Sequence, residues 1–399
     1  MDKSVPHRSV AARLGIVLAA AGLAALVLAQ GTAQIMASSA PNLASTFAPW
    51  FGASRARSAE LALLNKNPSL ARRQAKAALD RDATLVPAVR TLGQLDEGVS
   101  GDHLLELALR LSRRDLPTHM ALLQRAATKG DLNAAIVHYG QALRTNQTSW
   151  PTLLPPLAKA AGDPEVLPPL TRMLAQRPQW LYPFYREWVK TSPDTRSMVA
   201  LSRMMDRRGQ PLNRDVRVGL LARLIDAHDW PSLRDELARA RPRCGADACL
   251  DGGFRRYGLL QPVDWSPAAV DRALVVRVPV GGGAFGLEYS FSGPGDVLIA
   301  RRLMMLPAGR YEVVYRIDPL AAGTTAGMGK VSLLLACADA SGAVLSDATQ
   351  ADGALRRTRA GVTAACPAQW LTLRLVSDSS EPVSGRISAL RIAPLHVGR

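Results

Sequence analysis

The chain has 399 residues, long enough for two or three domains that each bury their own core. Hydrophobic residues make up 48% and charged residues 21%, which excludes a disordered chain, and the 5% aromatic content favours small-residue packing over part of it. The net charge of +16 divides into +4 in residues 251–399 and +12 before them, mostly as scattered arginine without aromatic interleaving, a pattern that argues against nucleic-acid partners.

Residues 1–13 form a basic flank with Lys3, Arg8 and Arg13, and Leu14 to Ala29 then carries no polar side chain. Extended through Gln30–Met36, residues 14–36 are long enough for a tilted transmembrane signal anchor. The alternative is a cleaved signal peptide, since Gly31-Thr32-Ala33 is a passable cleavage site. In both cases the positive flank stays cytoplasmic and the rest is exported. The expected location is therefore a bacterial inner membrane, single-pass, with the bulk periplasmic, or the soluble periplasm if the leader is removed. Residues 37–55 read as a linker.

From residue 56 to 242 the apolar positions recur as paired helices. "DLNAAIVHYGQALRTN" (131–146) follows a Lys129-Gly130 turn signal and places Ala135, Tyr139, Ala142 and Leu143 on one face. "LARRQAKAALDRD" sets Ala71, Ala75, Ala78 and Leu79 in the same places, and "DHLLELALRLSRRD" offers Leu104 and Leu111. Starts at Ala71, Leu104 and Ala135 imply a period of about 33 and then about 31 residues. A two-helix unit of that size cannot bury both apolar faces alone, so it stacks on its neighbours. Five or six such hairpins are expected; a non-repeating bundle is the alternative. Prolines over 151–169 should kink or shorten helices there. Downstream, Trp180, Tyr182, Phe184, Tyr185 and Trp188 form the densest aromatic stretch. Its i to i+4 spacing predicts helix-core packing rather than an aromatic groove.

This spacing resembles the tetratricopeptide repeat, best over 117–146, where Gly130, Ala135, Tyr139, Ala142 and Leu143 match its pattern. Gln147 stands where the repeat closes on proline, the early tryptophan is missing, and the Leu104 unit lacks the small residue. The resemblance implies a protein partner on the helical array.

Residues 243–253 form a cysteine-containing linker, and beyond it the periodicity changes. "ALVVRVPV", "FGLEYSF", "RYEVVYRID", "KVSLLLACA" and "WLTLRLVS" are short β-rich runs separated by turns such as "SGPGD", "PAGR" and "DSSEP". Residues 254–399 therefore read as seven to nine strands in an antiparallel sandwich, most simply a jelly roll. The fold class is multidomain: a transmembrane helix, an all-α repeat solenoid, then an all-β sandwich. The four cysteines, Cys244, Cys249, Cys337 and Cys366, suggest two disulfides in an exported chain. A metal site is the rival, but C-x4-C has no companion histidines, so no metal is expected.

"GGFRRYGLLQPVDW", "GLEYSFSG" and "LPAGRYEVVYRI" are similar to the jelly-roll carbohydrate-binding modules. With the anchor and the repeats, the chain resembles exported proteins found beside alphaproteobacterial exopolysaccharide and O-antigen machinery. That resemblance implies a non-catalytic periplasmic scaffold assisting surface polysaccharide assembly or export, with polysaccharide as a second partner. Tyr257, Trp265, Tyr289, Tyr311 and Trp370 are the candidate glycan contacts, since sugars stack on aromatic faces; Arg255, Arg256 and Asp264 lie nearby. The competing reading puts Trp265 and Trp370 in the sandwich core. No nucleophile, metalloprotease or phosphate-loop motif occurs, so no catalytic residue and no cofactor is expected. "GGGAFG" at 281–286 lies between strands and reads as a hairpin turn, and His138 as a helix-surface or packing residue. The rival functions are a polysaccharide-modifying enzyme with carboxylates on sandwich loops, and an inert structural envelope protein.

Overall fold

The computed structural model describes residues 25, 27–32, 34–36, 39–41, 43, 44, 48, 50–240, 254–267, 272–320, 329–339, 341–347 and 349–395. The basic flank, most of the expected span, the linker cysteines Cys244 and Cys249 and the extreme C-terminus lie outside them. Among the described residues no helix is long and apolar enough to cross a membrane. The chain divides into two compact units, residues 1–157 with 165–184, and residues 158–164 with 185–399.

Twelve described helices follow Phe51. The first eight are α1 (Gly52–Leu64), α2 (Pro68–Leu79), α3 (Val86–Leu95), α4 (Gly98–Leu111), α5 (Leu116–Thr128), α6 (Leu132–Thr145), α7 (Trp150–Ala160) and α8 (Leu167–Leu174). They are followed by α9 (Leu181–Thr191), α10 (Thr195–Arg207), α11 (Arg214–Asp226) and α12 (Trp230–Ala240). Side chains cap many of their N-termini: Asn67 accepts from Leu70 N, Asp115 from Thr118 N, Asp131 from Ala134 N, Asp194 from Ser197 N and Asn213 from Val216 N. The turns keep the beat of the repeat. Residues with left-handed backbone fall at Lys66, Gly98 and Gly130, 32 residues apart, and Arg177 and Gly209 further on are again 32 apart.

In the first unit the main contacts join chain neighbours, α1 to α2, α2 to α3, α3 to α4 and so on to α6. First helices also touch the next first helix, α1 to α3 and α3 to α5, and α6 meets α8. That is the near-neighbour pattern of a stack rather than of a closed bundle. Small residues permit it: Ala56, Ala59, Ala75, Ala78 and Ala88 form one buried cluster with Leu92. As expected, the proline stretch yields short helices, 11 residues in α7 and 8 in α8.

The structure corrects the register of the second hairpin. Its counterpart of Ala71, Ala75 and Ala78 is Gly101, Leu105 and Ala108, all buried, so the steps are 30 and 34 residues to Ala135, Tyr139 and Ala142. Leu104 is only half-buried and Leu111, at 40% exposure, faces solvent at the end of α4. Nor does the unit lack its small residue. A Cβ at Gly101 would collide with the Asp96 carbonyl oxygen, because α4 starts against the end of α3. Ala71, Ala78, Ala142 and Leu143 are fully buried, Ala135 is buried, Leu79 and Tyr139 are half-buried, and Gly130 forms an exposed turn.

The β part begins at β1 (Ser266–Pro267), β2 (Ala273–Gly281), β3 (Ala284–Phe291), β4 (Gly295–Met304) and β5 (Gly309–Asp318). It continues with β6 (Lys330–Cys337), β7 (Gln350–Asp352), β8 (Leu355–Val362), β9 (Gln369–Ser377) and β10 (Val383–Pro394). They form two antiparallel sheets, ordered β1-β4-β9-β6 and β2-β3-β10-β5-β8-β7. From β3 to β6, and from β8 to β10, consecutive strands alternate between the sheets, crossing over one shared core that includes Leu287, Ile299, Val313, Leu333, Leu373 and Ile387. Cys337, ending β6, is bonded to Cys366 in the loop before β9, with their Cα atoms 5.7 Å apart.

Candidate functional site

A polar row runs along the first helices of three successive hairpins. Arg90 on α3, its side chain 4% exposed, is paired with Glu60 on α1 and with Asp115 before α5. Glu60 also takes Arg57 at 2.8 Å, while Asp115 accepts Thr118 N at 2.9 Å. Arg125 on α5 reaches back to the end of α3, donating to the carbonyls of Gly93 at 2.8 Å and Asp96 at 3.0 Å. In the second unit Arg223 on α11 does the same for α9, donating to the carbonyls of Val189 at 3.2 Å and Ser192 at 2.9 Å. The two arginines occupy equivalent places three periods apart.

Within the third hairpin, His119 is buried and its Nε2 lies 3.1 Å from the Arg113 carbonyl oxygen. Its ring centre is 5.8 Å from that of half-buried His138, so His138 is a packing residue. Burial first, and then the charge of His119, push the His138 pKa below its ordinary value. Tyr139 donates to the Leu153 carbonyl at 2.5 Å, and burial pushes its phenol up to about 12. An open cleft of about 370 Å³ lies where α6 begins beside α8, lined by Asp131, Asn133, Glu165, Pro168 and Arg172. Among the described residues no cluster of His, Cys, Asp or Glu is arranged to hold a metal.

The aromatic stretch packs inward. Trp180 and Phe184 are buried edge to face at 6.2 Å, and Tyr185 and Trp188 are buried at 6.0 Å. Of the five rings only Tyr182 is exposed. In the second unit Glu236, wholly buried, gathers Ser202 at 3.2 Å, Arg217 at 3.6 Å and Arg239. Asp206 joins the group, 3.5 Å from Arg217 and 3.3 Å from Arg239.

The candidate glycan contacts do not assemble into a platform. Trp265, Tyr289 and Tyr311 are at most 5% exposed and belong to the shared core. Trp265 packs on Phe254 at 5.1 Å, and the Tyr311 hydroxyl donates to the Pro307 carbonyl at 2.9 Å. Burial pushes the Tyr289 phenol up, keeping it protonated. Alternation explains the outcome: Tyr311 shares the inward face of β5 with Val313 and Tyr315. Tyr257 is half-buried, and Asp264 is buried, accepting the backbone NH of Leu260 at 2.8 Å. Trp370 looks outward but is half-covered, with the Arg301 guanidinium 4.7 Å from its ring centre.

Sequence reasoning passed over the outer face of the six-stranded sheet. Cross-strand register places Arg386 beside Glu288 and Asp318, Arg391 and Arg357 either side of Val314, and Arg359 opposite Glu312. Arg386 Nε meets Glu288 at 2.9 Å and Arg316 Nε meets Asp318 at 2.6 Å. The signal was present in the alternation of "RYEVVYRID" and "LRRTRAGV", but neighbouring strands had to be placed before it became one surface.

No protein-family model matches the chain, and no curated protein does. Among solved structures, the arabinose-bound α-L-arabinofuranosidase MgGH51 aligns with 37% of this chain at 12% identity and a TM-score of 0.27; the chain spans 28% of that enzyme's length. PilF of Pseudomonas aeruginosa aligns with 54% of this chain at 14% identity and a TM-score of 0.27, over 96% of its own length. Both likenesses are too slight to bear on function, and the architecture rests on the helix pairs and sheets themselves.

Proposed function

We propose that this protein is a non-catalytic scaffold, anchored in the bacterial inner membrane with its bulk in the periplasm. In this reading the helical array binds a protein partner and the chain assists assembly or export of a surface polysaccharide. The observation that carries the proposal is the array: hairpins buried mainly against their chain neighbours keep their lateral helix faces for a partner. The Cys337–Cys366 bond supports an oxidising compartment. The polysaccharide context rests on the family resemblance alone.

Pull-down from crosslinked envelopes tests the proposal, comparing the full chain with one lacking residues 251–399. Recovery of polysaccharide-assembly proteins by both chains is the expected result. Recovery by the full chain alone would transfer recognition to the sandwich, and recovery of nothing by either would overturn the scaffold.

A further inference from the structure

We infer that the free edge of β2 pairs antiparallel with the same edge of a second copy of this chain, about a twofold axis through Val275. The inference goes beyond the proposed function and stands or falls independently of it.

The other sheet edges are short or partly covered. β1 and β7 have only two and three residues. Residues 343–346 lie along the second half of β6: Cys337 N donates to the Ala343 carbonyl at 2.9 Å, Leu345 N to the Leu335 carbonyl at 2.8 Å and Leu335 N to Ser346 Oγ at 3.0 Å. β2, by contrast, runs for nine residues at its edge. Antiparallel neighbours exchange hydrogen bonds at every second residue. Ser292 N donates to the Arg272 carbonyl at 3.1 Å, so along the same register Leu274, Val276 and Val278 also turn their backbone groups toward β3. Ala273, Val275 and Arg277 therefore turn theirs to the open side, where no strand or backbone group meets them among the described residues. Pro279, next in that row, has no N–H and ends it.

Self-complementarity names the occupant. With the axis at Val275, Ala273 exchanges both bonds with the partner's Arg277, and Val275 exchanges both with the partner's Val275. Every free donor between residues 273 and 277 then meets a free acceptor, and Pro279 stays beyond the last pair. Opposed residues share a face, so Leu274 and Val276, 67% and 44% exposed on the outer side, each meet the other across the seam. Arg277, the one charge in the segment, meets alanine rather than a like charge. An occupant must bring an open edge, apolar residues in this phase and no cation opposite Arg277; the chain's own edge meets all three conditions. A segment this short buries less than the roughly 1,200 Å² of a stable interface, so the pairing is weak and is seen by trapping it.

The test is register-specific disulfide trapping of the detergent-solubilised full chain at high concentration, with Cys244 and Cys249 replaced by serine and copper phenanthroline as oxidant. Across the seam the Cα atom of position 274 lies about 4.5 Å from that of the partner's position 276, within reach of a disulfide. The distances from 274 to 274 and from 276 to 276 are about 8 Å, outside that reach. A mixture of L274C and V276C should therefore give about tenfold more covalent dimer than either variant alone. Adding V275P to both should abolish the excess, and because the lost N–H faces the open side, the ladder with β3 is left whole. The inference is overturned if the mixture gives no covalent dimer, if either variant alone dimerises as readily, or if V275P leaves the yield unchanged. Leu274 and Val276 are exposed, so the two cysteine variants keep the fold and the mixture decides the matter even if V275P fails to fold.

Discussion

Arg90 offers the sharpest physical test of the stack. Replacing it by alanine leaves Glu60 and Asp115, 17% and 20% exposed, without the guanidinium that lies between them. Removing one member of a buried ionic group costs about 3–5 kcal/mol when the remaining charge is fully enclosed. Here both acids keep some water and Asp115 keeps its bond from Thr118 N, so the lower end, about 3 kcal/mol, applies. For a unit of this size that corresponds to a fall of about 6–12 °C in the transition of the first unit, read by circular dichroism. Lysine at position 90 should recover less than half, because a single ammonium cannot fork between two acids. The neutral triple variant E60Q/R90M/D115N should recover most of the loss, since charge rather than shape is at stake. A fall of under 2 °C in R90A, or a triple variant no better than R90A, would refute this account.

Two further predictions concern covalent and protonic contributions. Cys337→Ser or Cys366→Ser should lower sandwich stability by about 3.5 kcal/mol, as expected for a sequence separation of 29, and a reductant should reproduce the effect on the wild type. Urea midpoints unchanged by either treatment would count against it. Because folding depresses the His138 pKa below 6.5, its contribution is complete above that pH and is lost as pH falls toward the folded value. The urea midpoint of the wild type relative to His138→Phe should therefore decrease between pH 7.5 and pH 5; a constant difference would show that the ring does not titrate against folding.

Much of this architecture was legible because periodicity reports burial. The alternation of β5 and β9 and the alanine faces of α2 and α6 passed directly into structure. The second hairpin misled because leucines were set in register with alanines: Leu104 and Leu111 look like core, yet Gly101 carries the close approach and Leu105 the packing. A glycine chosen for backbone proximity leaves no hydrophobic trace to align. The aromatic candidates failed for a related reason, since a ring suited to stacking on sugar is equally suited to filling a core, and only strand phase separates the two roles. The ion pairs of Arg90 with Glu60 and Asp115 and of Arg386 with Glu288 were illegible for want of distance information, their partners lying 25 or more residues away.

Arg125 and Arg223 give the array a temporal order. Each closes the carbonyl end of an earlier helix from 29 to 34 residues downstream, so that end stays open until the later segment has been delivered. A chain emerging N-terminus first thus carries, for the duration of one hairpin's synthesis, a helix whose carbonyl end still lacks the hydrogen bonds of that arginine. Interruption just short of either arginine would leave a fragment frayed at its growing tip, although every residue of the preceding helix is already in hand.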